Sequence, residues 1–476
     1  MSRLTFLIRA AAVAAVTTSL ALVGATGGVS QATTAPSFTV KVLSPFGPNA
    51  GDDYPTGLNN AGQIVGYVQS SSAIRGFFYE PGTGGSGRSY AVPVPKGDHA
   101  AAFNAVDNGS LAAGFVCVDE ACKHYLPYAG RIAGSTAALF ALRPPSTQTL
   151  ALGSAYAIDA AGDVTGFVRL ASGQSFGVEW RNRGSLSKPS WSTAIRLSAP
   201  SGFVSAYGTA VDRAGDVGGF AQKGSIGFAT ISGPLGGVQP LSGFRGTAVK
   251  NVIQSYAAAA LSQPSSRTGS GNGSAIVVGS SYESGSGQNQ YSNPAAWRVT
   301  IVRGKVSRVS KPFELGTDYN DPNGGLYGGA SSMNAHGWTV GLAGIDNPTA
   351  MLWMLATTAA GGLTDSAFQL QTLTPQGSPA CDFNQAVSVN DRGQVVGTFL
   401  PSGNKYRPSF HSSGSSAPPC APVSTTYQSI YLLTPVSRAG FGWELPSPAS
   451  HRHFGRHLGS ARSRADAFTA GPSPEA

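Results

Sequence analysis

The sequence predicts an all-β fold, a β-propeller of about seven four-stranded blades, on three observations. A nine-residue motif of the form apolar-Asx-x-x-Gly-x-β-branched-x-Gly recurs along the chain. Each copy is followed by a short aromatic segment and then by a segment ending near Leu, and almost no stretch carries the 3.6-residue periodicity of an amphipathic helix. Units of 40–60 residues with four short strands each, repeated about seven times, match propeller blades. A β-solenoid or tandem β-sandwiches is the alternative architecture.

Taken in chain order, residues 1–32 read as a signal peptide. Arg3 and Arg9 form a positive start, Ala10–Ala25 an apolar stretch diluted by Thr17, Thr18 and Ser19, and Ser30-Gln31-Ala32 a small-residue cleavage site. No later segment is long and apolar enough to be a helical membrane span. The expectation is therefore an exported chain, secreted or extracellular, with a periplasmic or cell-surface location as variants of that reading. Residues 33–435 form the repeat domain. Residues 436–476 leave the repeat, carry the basic run His451-Arg452-His453-Phe454-Gly455-Arg456-His457, and read as a disordered tail.

The motif appears as Leu58–Gly66, Ile158–Gly166, Val211–Gly219, Met333–Gly341 and Val389–Gly397, with weaker copies at Val106–Gly114 and Ile276–Gly279. From Gly66 to Gly397 is 331 residues in six steps, about 55 per unit. Physically it is a β-hairpin. The side chain of Asn59, Asp159, Asp212, Asn334 or Asn390 accepts a backbone N–H two residues on and starts a turn. Gly62, Gly162, Gly215, Gly337 and Gly393 then supply a left-handed residue. The second glycine suits a close approach of backbones near a crowded centre. Aromatic strands are expected at Gly76–Tyr79, Phe176–Trp180, Gly227–Ala229, Ala295–Trp297, Ala350–Trp353 and Pro408–Phe410. Outer strands are expected at Leu150–Leu152, Ile195–Leu197, Val238–Leu241, Phe313–Leu315 and Leu370–Leu373. Val40–Leu43 is the natural closing strand beside the last unit, with Tyr427–Leu433 as its competitor.

These motifs resemble the HAF-type extracellular repeat proteins of bacteria, over roughly residues 38–435. Gly76-Phe77-Phe78 and Ala295-Ala296-Trp297 stand where that family has a His-Ala-Phe triplet. The resemblance implies an exported repeat protein and brings no catalytic residues.

Four cysteines in an exported chain invite pairing. Cys117 and Cys122 are expected to bridge locally, and Cys381 and Cys420 are then expected to pair with each other, although the unit boundaries place those two on opposite faces, so that 412–426 would have to wrap a blade to join them. A metal site at Cys117, Cys122 and His124 lacks a fourth ligand. Charged residues are 12% and the net charge of +9 falls to +7 without Arg3 and Arg9. That charge is too dilute for a nucleic-acid footprint. The acids Asp159/Asp163 and Asp212/Asp216 flank turns and lack calcium-loop spacing. No nucleophile elbow, zinc-protease or phosphate-loop motif occurs. No cofactor and no metal is expected.

Function is therefore expected at loops. The connections at Phe115–Tyr128, Arg169–Ser175, Tyr282–Asn293, Thr317–Gly329 and Gln376–Asn384 are long and varied, and such loops on a rigid frame are where recognition sits. Tyr282, Asn289, Tyr291, Asp318, Tyr319 and Asn320 have the composition of an adaptable binding surface. The leading reading is a monomeric binding or interaction scaffold for an extracellular glycan or protein. The rival is an extracellular carbohydrate-active enzyme, glycosidase or lyase, with carboxylates from distant blades converging on the channel.

Overall fold

The computed structural model describes residues 36–47, 50–71, 73–83, 86–145, 149–203, 205–212, 214–223, 226–234, 236–241, 253–261, 273–284, 290–316, 327–344, 349–358, 361–373, 383–399 and 427–436. Residues 1–32, expected to be a signal peptide, and residues 437–476 of the basic tail lie outside them, as does the expected strand Pro408–Phe410.

Seven four-stranded antiparallel blades stand in a ring. Blade one is Asp52–Leu58, Ile64–Gln69, Ile74–Glu80 and Arg88–Ala91. Blade two is Ala100–Val106, Leu111–Cys117, Tyr125–Ala133 and Thr136–Ala141. Blade three is Leu150–Ile158, Val164–Leu170, Ser175–Trp180 and Ile195–Arg196. Blade four is Ser205–Val211, Val217–Lys223, Ile226–Gly233 and Gly236–Pro240. Blade five is Ile253–Leu261, Gly273–Ser284 and Gln290–Val302, with Lys305–Val309 and Phe313–Glu314 sharing its outer edge. Blade six is Tyr327–Met333, Trp338–Gly344, Thr349–Met354 and Ala367–Gln369. In blade seven, Phe383–Val389 and Val395–Phe399 are followed by Ser429–Pro435, and the N-terminal strand Phe38–Leu43 completes the sheet.

Both candidates for the closing strand are therefore used. Ser429–Pro435 is the third strand of the last blade and Phe38–Leu43 its fourth, paired antiparallel from Phe38 opposite Pro435 to Leu43 opposite Ile430. This also corrects the placement of Cys420, which precedes a third strand instead of following one. Phe383, Phe399 and Ser429 lie side by side across the sheet. The segments that carry Cys381 and Cys420 thus leave blade seven at one end, not at opposite faces; both cysteines lie outside the described residues.

Two expected outer strands are corrected as well. Leu150–Leu152 opens the first strand of blade three, and blade two is completed by Thr136–Ala141. That outer strand is half exposed and needs no apolar run, so periodicity passes over it. Leu370–Leu373 is a single 3-10 turn after the short strand Ala367–Gln369, and Leu370 and Leu373 remain buried.

The core lies between blades. Blades one and two enclose Val65, Phe78, Ala101, Phe103, Val106 and Ile132. Blades two and three enclose Leu111, Ala129, Ile158, Val168 and Trp180. Blades seven and one enclose Leu58, Ile64, Phe77, Val396 and Ile430. Similar clusters fill the other junctions. Each blade is a thin sheet with both faces buried against neighbours, which is why single strands show apolar runs instead of clean alternation.

A shift of register interrupts the first strand of every blade. In six blades it inserts one extra residue: Thr56, Asn104, Tyr156, Thr209, Ser331 or Val387. The bulge pushes a first-strand carbonyl against the second glycine of the motif. A Cβ on Gly114 would collide with the carbonyl oxygen of Ala102, and one on Gly219 with that of Tyr207. Some bulge side chains tie neighbouring first strands together. Thr56 Oγ1 donates to the carbonyl of Phe103 at 2.8 Å, and Asn104 Nδ2 to that of Ala155 at 2.8 Å. The first strands thereby line the central axis.

Candidate functional site

The two ends of the channel differ in chemistry. At the first-hairpin end, one arrangement repeats in six blades. Asn59 Oδ1 accepts the N–H groups of Ala61 (3.0 Å) and Gln63 (2.9 Å). Asp107, Asp159, Asp212, Asn334 and Asn390 each accept the same pair in their own turns. All six side chains are buried. Gly62, Gly162, Gly215, Gly337 and Gly393 take φ between 72° and 83°. In blade two the corresponding residue is Ser110, at φ 64°. The ring seam is sewn at this end: Asn390 Nδ2 donates to the Asn59 carbonyl at 2.8 Å, and Asn60 Nδ2 to Asp391 Oδ2 at 2.8 Å. The acids at the turns are thus engaged with their own hairpins. Among the described residues no group of three His, Cys, Asp or Glu is placed to hold a metal.

The opposite end, where second-to-third connections and links between blades emerge, carries aromatic rings. Phe115 of blade two meets Tyr125 edge to face at 5.7 Å, and Tyr125 meets Phe167 of blade three at 6.3 Å. Tyr156, the bulge residue of blade three, stacks on Phe167 at 5.5 Å. Phe167 meets Tyr207 of blade four at 5.7 Å, and Tyr207 stacks on Phe220 at 4.6 Å. These six rings form one continuous arc across three blades, and all but Phe167 keep part of their surface in solvent. A separate stacked pair, Tyr54 and Tyr67 at 5.0 Å, holds the equivalent place in blade one. Burial holds the Tyr156 phenol well above its ordinary value, and the neighbouring phenols of Tyr125 and Tyr207 raise it further. Burial raises the Tyr125 phenol as well, so the hydroxyls of Tyr125 and Tyr156 are neutral hydrogen-bond donors and acceptors at any physiological pH.

The disulfide Cys117–Cys122, with Cα atoms 4.8 Å apart, buttresses the start of this arc. Cys117 lies opposite Tyr125 in the sheet, and the two cysteines cluster with Ala100, Phe115 and Tyr125. His124 is turned away into a surface contact, its Nδ1 2.6 Å from Asp119 Oδ2.

The binding residues expected from the loops fall elsewhere. Tyr282 and Tyr291 are on paired strands of blade five, Tyr282 opposite Ser292 and Glu283 opposite Tyr291. The connection there is the shorter stretch 285–289, because the hairpin extends further than its Gly/Ser-rich sequence suggests. Asn289, Asp318, Tyr319 and Asn320 lie outside the described residues. Likewise Phe115–Tyr128 is mostly strand, with the true connection at 118–124.

Sequence reasoning passed over the aromatic arc, although a signal was present. The residue after the second glycine is Tyr67, Phe115, Phe167 and Phe220 in blades one to four, but Ser280, Leu342 and Thr398 in blades five to seven. The repeat is thus asymmetric at one position that faces a channel mouth.

No protein-family model matches the chain and no curated protein is similar to it. Solved structures that it resembles include an arginine-to-alanine triple mutant of AofleA from Arthrobotrys oligospora, at 9% identity over 70% of this chain and 87% of that one, with a TM-score of 0.31. The catalytic domain of a GH62 α-L-arabinofuranosidase from Coprinopsis cinerea aligns at 11% identity over 84% of this chain and 98% of that one, with a TM-score of 0.24. A subtype N11 neuraminidase-like protein of a flat-faced bat influenza virus aligns at 10% identity over 70% and 92%, with a TM-score of 0.26.

Proposed function

We propose that this chain is a secreted binding protein that presents the aromatic arc of blades two to four to an extracellular glycan. The continuous row Phe115, Tyr125, Phe167, Tyr156, Tyr207 and Phe220 carries this reading. The five half-buried rings of the row suit the apolar C–H face of a pyranose, and the phenol hydroxyls among them suit its hydroxyl edge. Rigid aromatic side chains lose little conformational freedom on binding. The frame behind them is a closed ring, tied by a disulfide at the edge of the arc, so the platform is pre-organised. The basic-then-apolar N-terminal segment and the disulfide support export.

The enzymatic rival finds less support. Among the described residues, the hairpin carboxyls Asp107 and Asp159 come together from neighbouring blades, and both are buried and already hold backbone N–H groups. Glu179 is paired with Arg181 at 2.9 Å.

A panel of soluble and arrayed glycans, screened with the wild-type chain and with Tyr156→Ala/Tyr207→Ala, tests the proposal. Saturable binding to at least one glycan is expected, weakened at least tenfold in the double variant, with an unchanged far-ultraviolet dichroism spectrum. Loss of two stacking rings of about 1 kcal/mol each accounts for a tenfold effect. Binding that is unaltered in the double variant, or absent across the panel, overturns it. Turnover of a bound glycan would favour the enzyme.

A further inference from the structure

Of the six hairpin residues that accept their own turn's N–H groups, three are Asn and three are Asp. In the Asn cases the remaining side-chain atom reaches the next blade. Nδ2 of Asn334 donates to the Asn390 carbonyl at 2.9 Å, Asn390 to the Asn59 carbonyl at 2.8 Å, and Asn59 to the Asp107 carbonyl at 2.8 Å. The chain of inter-blade bonds then arrives at Asp107, whose Oδ2 is buried without a hydrogen-bond partner; Oδ2 of Asp159 is in the same position. By the repeat, each stands where the Asn amide would face the next blade's turn carbonyl, that of Asp159 or Asp212. Those carbonyls already accept the N–H of Gly162 and Gly215, as the Asn59 carbonyl accepts Gly62 while also taking the Asn390 amide. An ionised carboxylate here sets oxygen against oxygen in a site closed to water.

Nothing described around the pair offers a compensating charge. The Asp107 carbonyl takes the Asn59 amide of blade one, its turn holds Asn108 and Ser110, the latter bonded to Gln63 of blade one, and its carboxyl acts on Asp159 of blade three. Asp159 has the carboxyls of Asp163, in its own turn, and of Asp107 near it; the blade-four turn carries Asp212 and Asp216, and its Arg213 lies outside the described residues. Arg181, bound to Glu179, acts on Asp163 and not on Asp159. The described residues form no metal-holding cluster.

We infer that Asp107 and Asp159 sit in the folded protein as neutral carboxylic acids, each Oδ2–H donating to the main-chain carbonyl of the next blade's turn, so that protons continue the inter-blade ring that amides build elsewhere. The continuous run of bonds then extends from blade six, across the seam, to blade four. Burial pushes both carboxyls up to about 7, and the nearby carboxyls of Asp163 and Asp107 disfavour a charge on Asp159 further.

The sign of the pH dependence follows. An unfolded carboxyl ionises near 3.8, so between there and about 7 the folded chain holds protons that the unfolded chain has lost. The contribution of these residues to stability is complete below the lower value and declines as pH rises through the higher one. His336 works in the other direction, since burial lowers it to about 4 and the unfolded imidazole takes up a proton below 6.5. Comparison of variants at two pH values separates the two effects.

Thermal midpoints of the full chain and of Asp107→Asn/Asp159→Asn at pH 5 and pH 8 test the inference. The Asn variant is expected to exceed wild type by several degrees at pH 8 and by clearly less at pH 5, because the amide supplies permanently what the proton supplies conditionally. An Asn variant that is equally stable or less stable than wild type at pH 8 overturns it. The second measurement compares infrared spectra of the wild-type chain and of Asp107→Asn/Asp159→Asn. A protonated-carboxyl C=O band is expected at pH 6 that disappears on titration to pH 9; burial pushes Asp53 up to about 8 as well, so the part of the band lost in the variant is the part that belongs to Asp107 and Asp159. Absence of the band from wild type, or a band undiminished in the folded variant, overturns the inference.

Discussion

Ser110 occupies a backbone conformation, φ 64°, that five of the other hairpins give to glycine. A Cβ there costs about 1 kcal/mol. Its hydroxyl donates to Gln63 Oε1 at 2.9 Å, a bond between blades that offsets part of that cost. Replacement by Ala keeps the strain and loses the bond, whereas replacement by Gly loses the bond and removes the strain. Ser110→Gly is therefore expected to be more stable than Ser110→Ala by about 1 kcal/mol, read from urea denaturation midpoints at equal slope. Equal stability of the two would mean that the turn has relaxed out of the left-handed region. The same position shows what was legible at this scale. The Asx–Gly turn is written in the sequence because its chemistry is local. The aromatic arc was equally visible as Phe115, Phe167 and Phe220, with Tyr67 at the same position of blade one, but its meaning depends on which end of the channel that position faces. Only the strand register supplies that.

At the scale of the strand, inner elements were legible and outer ones less so. First and second strands carry the motif and are buried on both faces, so their apolar runs are strong. Outer strands such as Thr136–Ala141 alternate between half-buried and exposed positions, and small Ala residues there give little periodic contrast. The last blade reads differently for another reason: residues 400–428 separate its second and third strands, and Pro408–Phe410 inside them carries the aromatic cue expected of the third. The closing strand has a sharper energetic signature. Phe38 is fully buried, meets Trp338 edge to face at 6.3 Å, and joins a cluster from blades six and seven that includes Leu370 and Phe383. Phe38→Ala is expected to cost about 3–5 kcal/mol, measured by chemical denaturation. It also loosens the strand that covers the edge of Ser429–Pro435, so increased self-association should accompany it. A cost below 1 kcal/mol would show that the N-terminal strand contributes little to the closed ring.

For the whole molecule, the consequence of a propeller is that no blade is stable alone and the ring must be shut. Here it is shut by strands from the two ends of the described chain, so closing it fixes a loop of roughly 400 residues, which carries an entropic cost that grows only slowly with length. The termini of that loop already touch: the N–H of Val436 donates to the Ser37 carbonyl at 2.9 Å, beside the Phe38–Pro435 pair. In the first six blades the third and outer strands are joined directly through the chain, as at Ala133–Thr136 of blade two. A two- to four-residue turn between Val436 and Ser37 would make blade seven like them. Covalent circularisation of residues 37–436 through such a turn is therefore expected to leave the fold unstrained and to raise stability, with a chain-entropy ceiling of about 6 kcal/mol. Denaturation of the circular and linear forms of the same residues measures the gain. An unchanged midpoint would mean that the linear chain unfolds without releasing its N-terminal strand, and the seam would then not be where the ring opens. A gain that disappears in a Phe38→Ala background would place the opening at the Phe38–Leu43 strand itself, because a circular chain whose closing strand no longer holds has lost the advantage of being tethered beside its partner.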